Sequence, residues 1–219
     1  MPQPTAANYL AMLRDDPDDR AAAQGLRACV EDALAAAGGA DGGEGASTKQ
    51  ALARSIEEAR AGHGARGEHG ATALLLELQA ALVSEDDPKR AAALYAKLAR
   101  LLDEALGDEA GAREARANVD AHHERVLEAA PGDPAALSWL VEAYGERADH
   151  DAIARIYERA LQAATAADER QALLLQVAMV HYHERGAPDD AAPFFEQLRA
   201  LAPAHAAVQI GRASCRERV

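Results

Sequence analysis

Aromatic side chains and cysteine are scarce in this chain, and long apolar runs are absent from its sequence. Aromatics make up 4% of the 219 residues, and the two cysteines are Cys29 and Cys215. No apolar stretch approaches the ~20 residues of a membrane span, and no basic and apolar leader follows Met1. So few thiols favour a reducing compartment. We therefore expect a cytoplasmic protein.

Basic residues are also fewer than acidic residues in this chain. The formal net charge is −13, with 36 Asp and Glu against 23 Lys and Arg. Nucleic acid requires clusters of Lys and Arg to neutralise its phosphates, and the sequence contains no such cluster. An anionic membrane surface attracts the same kind of cluster. The charge balance therefore argues against a nucleic-acid partner and against a membrane partner.

The last ten residues, 210–219, differ in composition from the acidic, alanine-rich chain before them. They contain three arginines and Cys215. The segment resembles the translation of a sequencing-adapter read-through, and we interpret it as a non-native tail, with a genuine basic tail as the alternative. On this interpretation Cys29 is the only native cysteine, and the natural C-terminal part of the protein is missing.

Glycine-rich stretches divide the remainder into segments. Residues 1–37 predict an N-terminal helical pair, because apolar residues recur at helical spacing on both sides of Pro17. Residues 38–70 predict a flexible glycine-rich stretch with one weak helix. Residues 71–209 carry amphipathic stripes separated by Asp-Pro pairs, which favour helix starts. The pattern predicts an all-α fold.

A spacing of about 38 residues, which is in the range of helical repeats, relates two segments near the C-terminus. We call this separation the repeat spacing. Tyr144 is followed by Tyr182 at the repeat spacing, and Tyr157 is followed by Phe195. Each member of these pairs lies on an apolar stripe of helical period. Such self-similarity is typical of stacked helix-pair arrays, which are binding surfaces more often than enzymes.

The second of these two segments resembles the tetratricopeptide repeat family. The resemblance rests on Leu175, Ala178, Tyr182, Gly186, Ala191, Phe195 and Pro203. The preceding segment matches at Leu137, Leu140, Tyr144, Tyr157 and Ala160. It departs at Ala148, where the family has its turn glycine. The period also exceeds the family's usual length of about 34 residues, as in lengthened repeats of bacterial proteins.

The resemblance implies a right-handed superhelical solenoid of antiparallel helix pairs, whose inner helices line a concave groove for peptides or partner helices. The projecting positions of those inner helices are the candidate partner-binding residues, namely Ser138, Trp139, Glu142, Glu146, Gln176, Val180 and His183. Trp139 is open to a second interpretation, as a core residue. No Lys or Arg stands among the seven, so we expect a partner that is basic or apolar rather than acidic.

Residue types that carry chemistry do not fall into catalytic or metal-binding patterns. His181 and His183 are two residues apart on a helix, where their side chains point in different directions. Asp32 disfavours a reactive thiolate at Cys29. His63 lies between glycines and is expected to be a solvated linker residue. The sequence therefore predicts no catalytic residues, no cofactor and no metal site.

These observations favour a function in protein–protein interaction, as a scaffold or adaptor rather than an enzyme. Two alternatives stay open on the sequence alone. One is a structural spacer whose groove binds nothing specific. The other is a helical accessory region of a larger enzyme, whose remainder lies beyond residue 209.

Overall fold

The computed structural model describes residues 4–38 and 42–202, and these residues are helical apart from short connections. None of them lies in a β-strand, so the all-α prediction is confirmed. Two compact units, Met1–His122 and His123–Val219, divide the chain within its sixth helix. The helices of the described part are α1 (Ala6–Asp15), α2 (Arg20–Ala37), α3 (Gly42–Ala65), α4 (His69–Val83), α5 (Pro88–Leu101), α6 (Glu109–Ala129), α7 (Pro134–Glu146), α8 (His150–Ala163), α9 (Ala167–Met179) and α10 (Pro188–Leu201).

A left-handed residue recurs at the connection between successive helices. Gly67, Gly107, Ala148 and Gly186 have φ angles of 73°, 65°, 55° and 61°. In all four cases the next helix begins two residues later. Successive helices that these turns join along the chain, which we call pairs, are α3–α4, α5–α6, α7–α8 and α9–α10. Glycine suits such a turn because it reaches positive φ without a steric penalty.

Residues 38–70 differ from the flexible stretch that the sequence predicts. A helix of 24 residues, α3, occupies most of this stretch. Leu52 and Ile56 are buried in the core of the first unit. His63 is 1% exposed instead of solvated, and its Nδ1 lies 2.6 Å from Oε2 of Glu68. Gly67, which has a positive φ, lies in the short connection between α3 and α4.

Two apolar clusters build the first unit. One cluster joins α1, α2, α3 and α4 around Leu26, Ile56 and Leu75. The other joins α4 to α5 and α6 through Leu76 and Leu94. Because α4 contributes to both clusters, it is buried on two sides. That burial explains why its sequence is apolar nearly all round instead of forming a single stripe.

The two helix pairs of the second unit bury equivalent positions. Leu140 of α7 and Ala178 of α9, which are separated by the repeat spacing, are both 0% exposed. The helices α8 and α10 each contain 14 residues, and their first residues are also one repeat spacing apart. Leu198 of α10 and Leu127 near the end of α6 lie in the same apolar cluster as Leu140, whereas Ala178 packs with Ala191 and Phe195 of α10. The repeat read from the sequence is thus a repeat of local structure.

The Asp-Pro helix starts are confirmed at α5 and α7. Asp87 accepts a hydrogen bond from the amide of Arg90 at 3.0 Å, and Pro88 is the first residue of α5. Asp133 does the same for the amide of Ala136 at 3.0 Å. A capping carboxylate satisfies one of the amides that have no partner inside the helix, and it also suits the positive end of the helix dipole.

Candidate functional site

Five of the seven candidate residues lie on α7 or α9, and the other two, Val180 and His183, lie in the π-helical turn Val180–Glu184 that follows α9. Exposed positions form two strips, which we call the α7 strip and the α9 strip. The α7 strip consists of Ser138, Glu142 and Glu146, and the α9 strip consists of Gln176 and His183. The other two candidates, Trp139 and Val180, are not on the exposed strips.

The α7 strip has a regular spacing. Ser138, Glu142 and Glu146 follow one another at intervals of four residues, so their side chains lie on one side of α7, about 6 Å apart along its axis. The opposite side buries Leu137 and Leu140 in the core of the unit. Within residues 4–38 and 42–202, neither Glu142 nor Glu146 has an ion pair or a hydrogen-bond partner for its carboxylate. The strip therefore presents two negative charges that no neighbouring side chain neutralises.

Trp139 supports α7 rather than standing free beside the strip. Its half-buried side chain packs against the apolar cluster of the second unit. The indole also stacks on the ring of His123, with 5.5 Å between ring centroids and 29° between ring planes. These contacts favour the interpretation of Trp139 as a core residue.

Val180 is buried and does not lie on the exposed face, so the prediction that it is a partner-binding residue is wrong. Its side chain is 8% exposed and packs with Ile153 and Ala154 of α8. The repeat spacing equates Val180 with the exposed Glu142. However, Val180 follows the buried Leu173 and Val177 at helical spacing, and a π-helical turn over Val180–Glu184 begins at this residue.

The α9 strip is shorter and less charged. Gln176 and His183 are exposed, and the ring of His183 contacts the ring of Tyr182 edge-on, with centroids 4.9 Å apart. His181, two residues before His183, is buried. The two histidines therefore point apart, as their spacing predicts, and they do not form a common metal site.

A buried histidine network holds the π-helical turn in place, and sequence reasoning missed it. His181 is 4% exposed. An Arg185 guanidinium N–H donates to its Nδ1 at 2.6 Å. A guanidinium can only donate, so Nδ1 is the acceptor and Nε2 carries the proton. That N–H donates to Oε1 of Glu158 at 2.8 Å, and the imidazole stacks on Phe194 of α10 with centroids 5.3 Å apart.

The same network reaches the turns of both pairs. Arg185 also donates from Nε to Oδ1 of Asp151 at 2.6 Å. A shallow depression lies here, and its lining consists of Ala148, Asp149, His150, Asp151, Arg185 and Ala187. Its principal charges are already engaged, because Asp149 caps α8 at the amide of Ala152 and Arg185 binds Asp151. The depression is therefore a junction between turns rather than a binding site.

Removal of the Glu158 carboxylate tests this network. We expect Glu158→Ala to lower the free energy of unfolding by about 1–2 kcal/mol, because the buried Nε2–H of His181 then loses its acceptor. Urea unfolding followed by the fluorescence of Trp139, the only tryptophan, measures the change. Glu196→Ala at an exposed position of α10 is the control, and we expect it to change stability by less than about 0.5 kcal/mol. Equal effects of the two substitutions would contradict the network.

Cys29 is unsuited to nucleophilic chemistry. Burial, and then the negative charge of Asp32, raises the pKa of its thiol above the ordinary value. A raised pKa reduces the thiolate fraction at neutral pH, and the thiolate is the reactive form. The direction agrees with the sequence-based expectation that nearby acids oppose activation of this thiol.

Comparison of the chain with models of known protein families and with curated proteins gives no match. In the part of the chain that the structure describes, no three His, Cys, Asp or Glu side chains come together to hold a metal ion. The described helices include none that is long and apolar enough to cross a membrane.

Proposed function

We propose that this protein is a protein–protein interaction scaffold or adaptor and that its partner binds on the α7 and α9 strips. One observation carries the proposal. The first helix of each pair in the second unit buries one side in the core and leaves a strip of polar side chains on the other. Five of the seven residues that the sequence assigned to binding are on these strips. A packed helix with an open polar face is a surface that a second protein can reach.

We further propose that the helix pairs are of the tetratricopeptide type. The left-handed turn residues support this proposal, because Gly186 stands at the family's turn glycine and Ala148 has the same backbone conformation. In such an array the α7 and α9 strips would line the concave groove of a right-handed solenoid, which is the surface that helical-repeat proteins use for binding. The proposed site of action is the cytoplasm.

The chemistry of the strips favours a basic or apolar partner. Glu142 and Glu146 are the only ionised side chains on α7, and α9 adds Gln176 and His183 without a Lys or Arg on its strip. An acidic partner would meet like charges there and find no cation to bind. The proposed partner is therefore a basic or apolar segment of another protein.

Charge substitution on the strips tests the proposed function in the full chain. We expect Ser138→Arg/Gln176→Arg to abolish recovery of the partners that the wild-type protein retains from lysate. Long cationic side chains at these two positions would obstruct the strips and repel a basic segment. The matched control is Gln162→Arg/Gln197→Arg, which adds the same charge at exposed positions of the second helices α8 and α10.

The wild-type and control proteins should recover the same partners, and only the strip variant should lose them. Quantitative mass spectrometry of the retained proteins measures the difference. If both variants retain the wild-type set, the strips are not the binding surface. If the wild-type chain retains nothing above the background of an unrelated helical protein, the spacer interpretation replaces the scaffold.

A further inference from the structure

The ring of His181 is buried at the junction between the two helix pairs of the second unit, and each ring nitrogen has one charged neighbour. Nδ1 accepts from the Arg185 guanidinium at 2.6 Å, and Nε2–H donates to Glu158 at 2.8 Å. The ring in this arrangement is neutral, because a protonated imidazole has a hydrogen on both nitrogens and cannot accept from a guanidinium. Histidine is also the side chain whose charge ordinarily changes between about pH 5 and pH 8.

A proton added to Nδ1 has opposite effects at the two nitrogens. At Nε2 it strengthens the contact with Glu158, because the hydrogen bond then joins opposite charges. At Nδ1 it sets two N–H donors and two positive charges against each other, where the neutral ring has a hydrogen bond to Arg185. Because Glu158 and the stacked ring of Phe194 hold the imidazole, the guanidinium is the group that has to move.

Two carboxylates lie within reach of the displaced guanidinium. Its Nε already donates to Oδ1 of Asp151 at 2.6 Å, and its Nη1 lies 3.7 Å from Oδ2 of Asp190. A small rotation therefore exchanges the imidazole for Asp190 and keeps the contact with Asp151. The charged and titratable groups that face this contact are Glu158, Asp151 and His150 from α8, Arg185 and Glu184 from the α9–α10 connection, and Asp190 from α10.

We propose that His181 is a pH-sensitive switch, in which protonation moves the Arg185 guanidinium from the imidazole to Asp151 and Asp190 and loosens the π-helical turn Val180–Glu184. Two backbone bonds close this turn next to the switch. The amide of Arg185 donates to the carbonyl oxygen of Val180 at 3.0 Å, and the amide of Ala187 donates to that of His181 at 2.8 Å. The switch operates whether or not a partner occupies the strips.

Nuclear magnetic resonance of the full-length protein labelled with ¹⁵N tests the switch between about pH 8 and about pH 5.5, within the range in which histidine titrates. At high pH we expect His181 to have its proton on Nε2, and we expect Nδ1 to gain a proton as the pH falls. The Arg185 Nε–H resonance should shift with the same midpoint. The protection of the Ala187 amide from hydrogen exchange should fall by about tenfold, the equivalent of one hydrogen bond.

Two glutamine variants identify the group that responds. His181→Gln removes the titration and keeps both contacts, because an amide can donate to Glu158 and accept from Arg185. In this variant the Arg185 resonance and the protection of Ala187 should not change with pH. The matched control is His150→Gln, which removes the other histidine of the junction, whose Nδ1 lies 3.8 Å from Oε2 of Glu184. The control should respond to pH as the wild-type protein does.

The switch is overturned by any of three results. The first is a proton on Nδ1 of His181 at the high-pH limit, or no titration of this ring over the whole range. The second is an Arg185 resonance that stays unchanged while His181 titrates. The third is a pH response that persists in His181→Gln or disappears in His150→Gln. The first two are measured on the wild-type protein, so they decide the matter even if a variant does not fold.

Discussion

Leu140→Ala is expected to lower the free energy of unfolding of the second unit by about 2–5 kcal/mol. Leu140 is 0% exposed and lies in the apolar cluster that joins α7 to α8, α9 and α10. Truncation removes apolar surface that the folded state buries, and it leaves a cavity that the surrounding helices fill only in part. Urea unfolding followed by Trp139 fluorescence reports on this unit directly, because the chain has one tryptophan.

Leu201→Ala is the matched control for this truncation. Leu201 lies in α10 of the same unit, and it is 49% exposed. The same chemical change there removes little buried surface, so we expect a loss below about 1 kcal/mol. Comparable losses at the two positions would mean that the cluster around Leu140 is not packed as described.

Substitutions at the two equivalent turns of the second unit are expected to act with opposite signs. Gly186→Ala should destabilise by about 1–2 kcal/mol, because φ at this position is 61° and a β-carbon makes the left-handed conformation unfavourable. No atom lies within 4 Å of a β-carbon at this position, so the penalty comes from the backbone and not from a clash. Ala148→Gly should instead stabilise by about 0.5–1 kcal/mol, since alanine already bears that penalty at φ 55°.

Gly145→Ala provides the control for the turn substitutions. Gly145 lies within α7, its φ is not positive, and a β-carbon there also meets nothing within 4 Å. Alanine is the better helix former by about 0.5–1 kcal/mol, so this variant should gain stability. The same urea titrations compare all three variants. A loss at Gly145, or a gain at Gly186, would contradict the assignment of the turns.

The starts of α5 and α7 and the match between α8 and α10 could be predicted from the sequence. Capping residues and apolar periodicity indicate the same helices in this part of the chain. Asp87 and Asp133, each followed by proline, indicated the starts of α5 and α7. The repeat spacing carried Tyr157 of α8 onto Phe195 of α10, and the two helices have the same length. Capping and apolar periodicity depend on neighbours within a few residues, so the sequence contains them directly.

The first unit was harder to predict because its spacing is irregular. The left-handed residues Gly67, Gly107 and Ala148 are separated by more residues than the repeat spacing. A search of the sequence at the repeat spacing alone therefore misses the earlier turns. Leu52, Ile56 and His63 share one side of α3. In the sequence, however, His63 stands between two glycines, and this pattern favours a solvated loop rather than the buried side of a helix. Glycines are tolerated in this helix where they face open space. Gly64 is an example, since no atom lies within 4 Å of a β-carbon there.

The exposed strips were predicted only in part, because the π-helical turn that follows α9 has no local signature in the sequence. Ser138, Glu142 and Gln176 are exposed as the helical projection predicts. Val180 is buried because it follows the buried Leu173 and Val177 on one side of the helix and packs against α8. The turn is held by contacts of His181 with side chains of α8 and α10, and such contacts between distant positions cannot be read from one helix.

Site-specific photo-crosslinking tests the central claim that partners bind on the exposed strips of α7 and α9. A photoreactive amino acid is placed in the full-length chain at Ser138 or Gln176, and in separate variants at Gln162 or Gln197 on the second helices. After irradiation in lysate, we expect crosslinked products of defined mass from Ser138 and Gln176 only. Products of equal yield from Gln162 and Gln197, or from those two positions alone, would contradict the account.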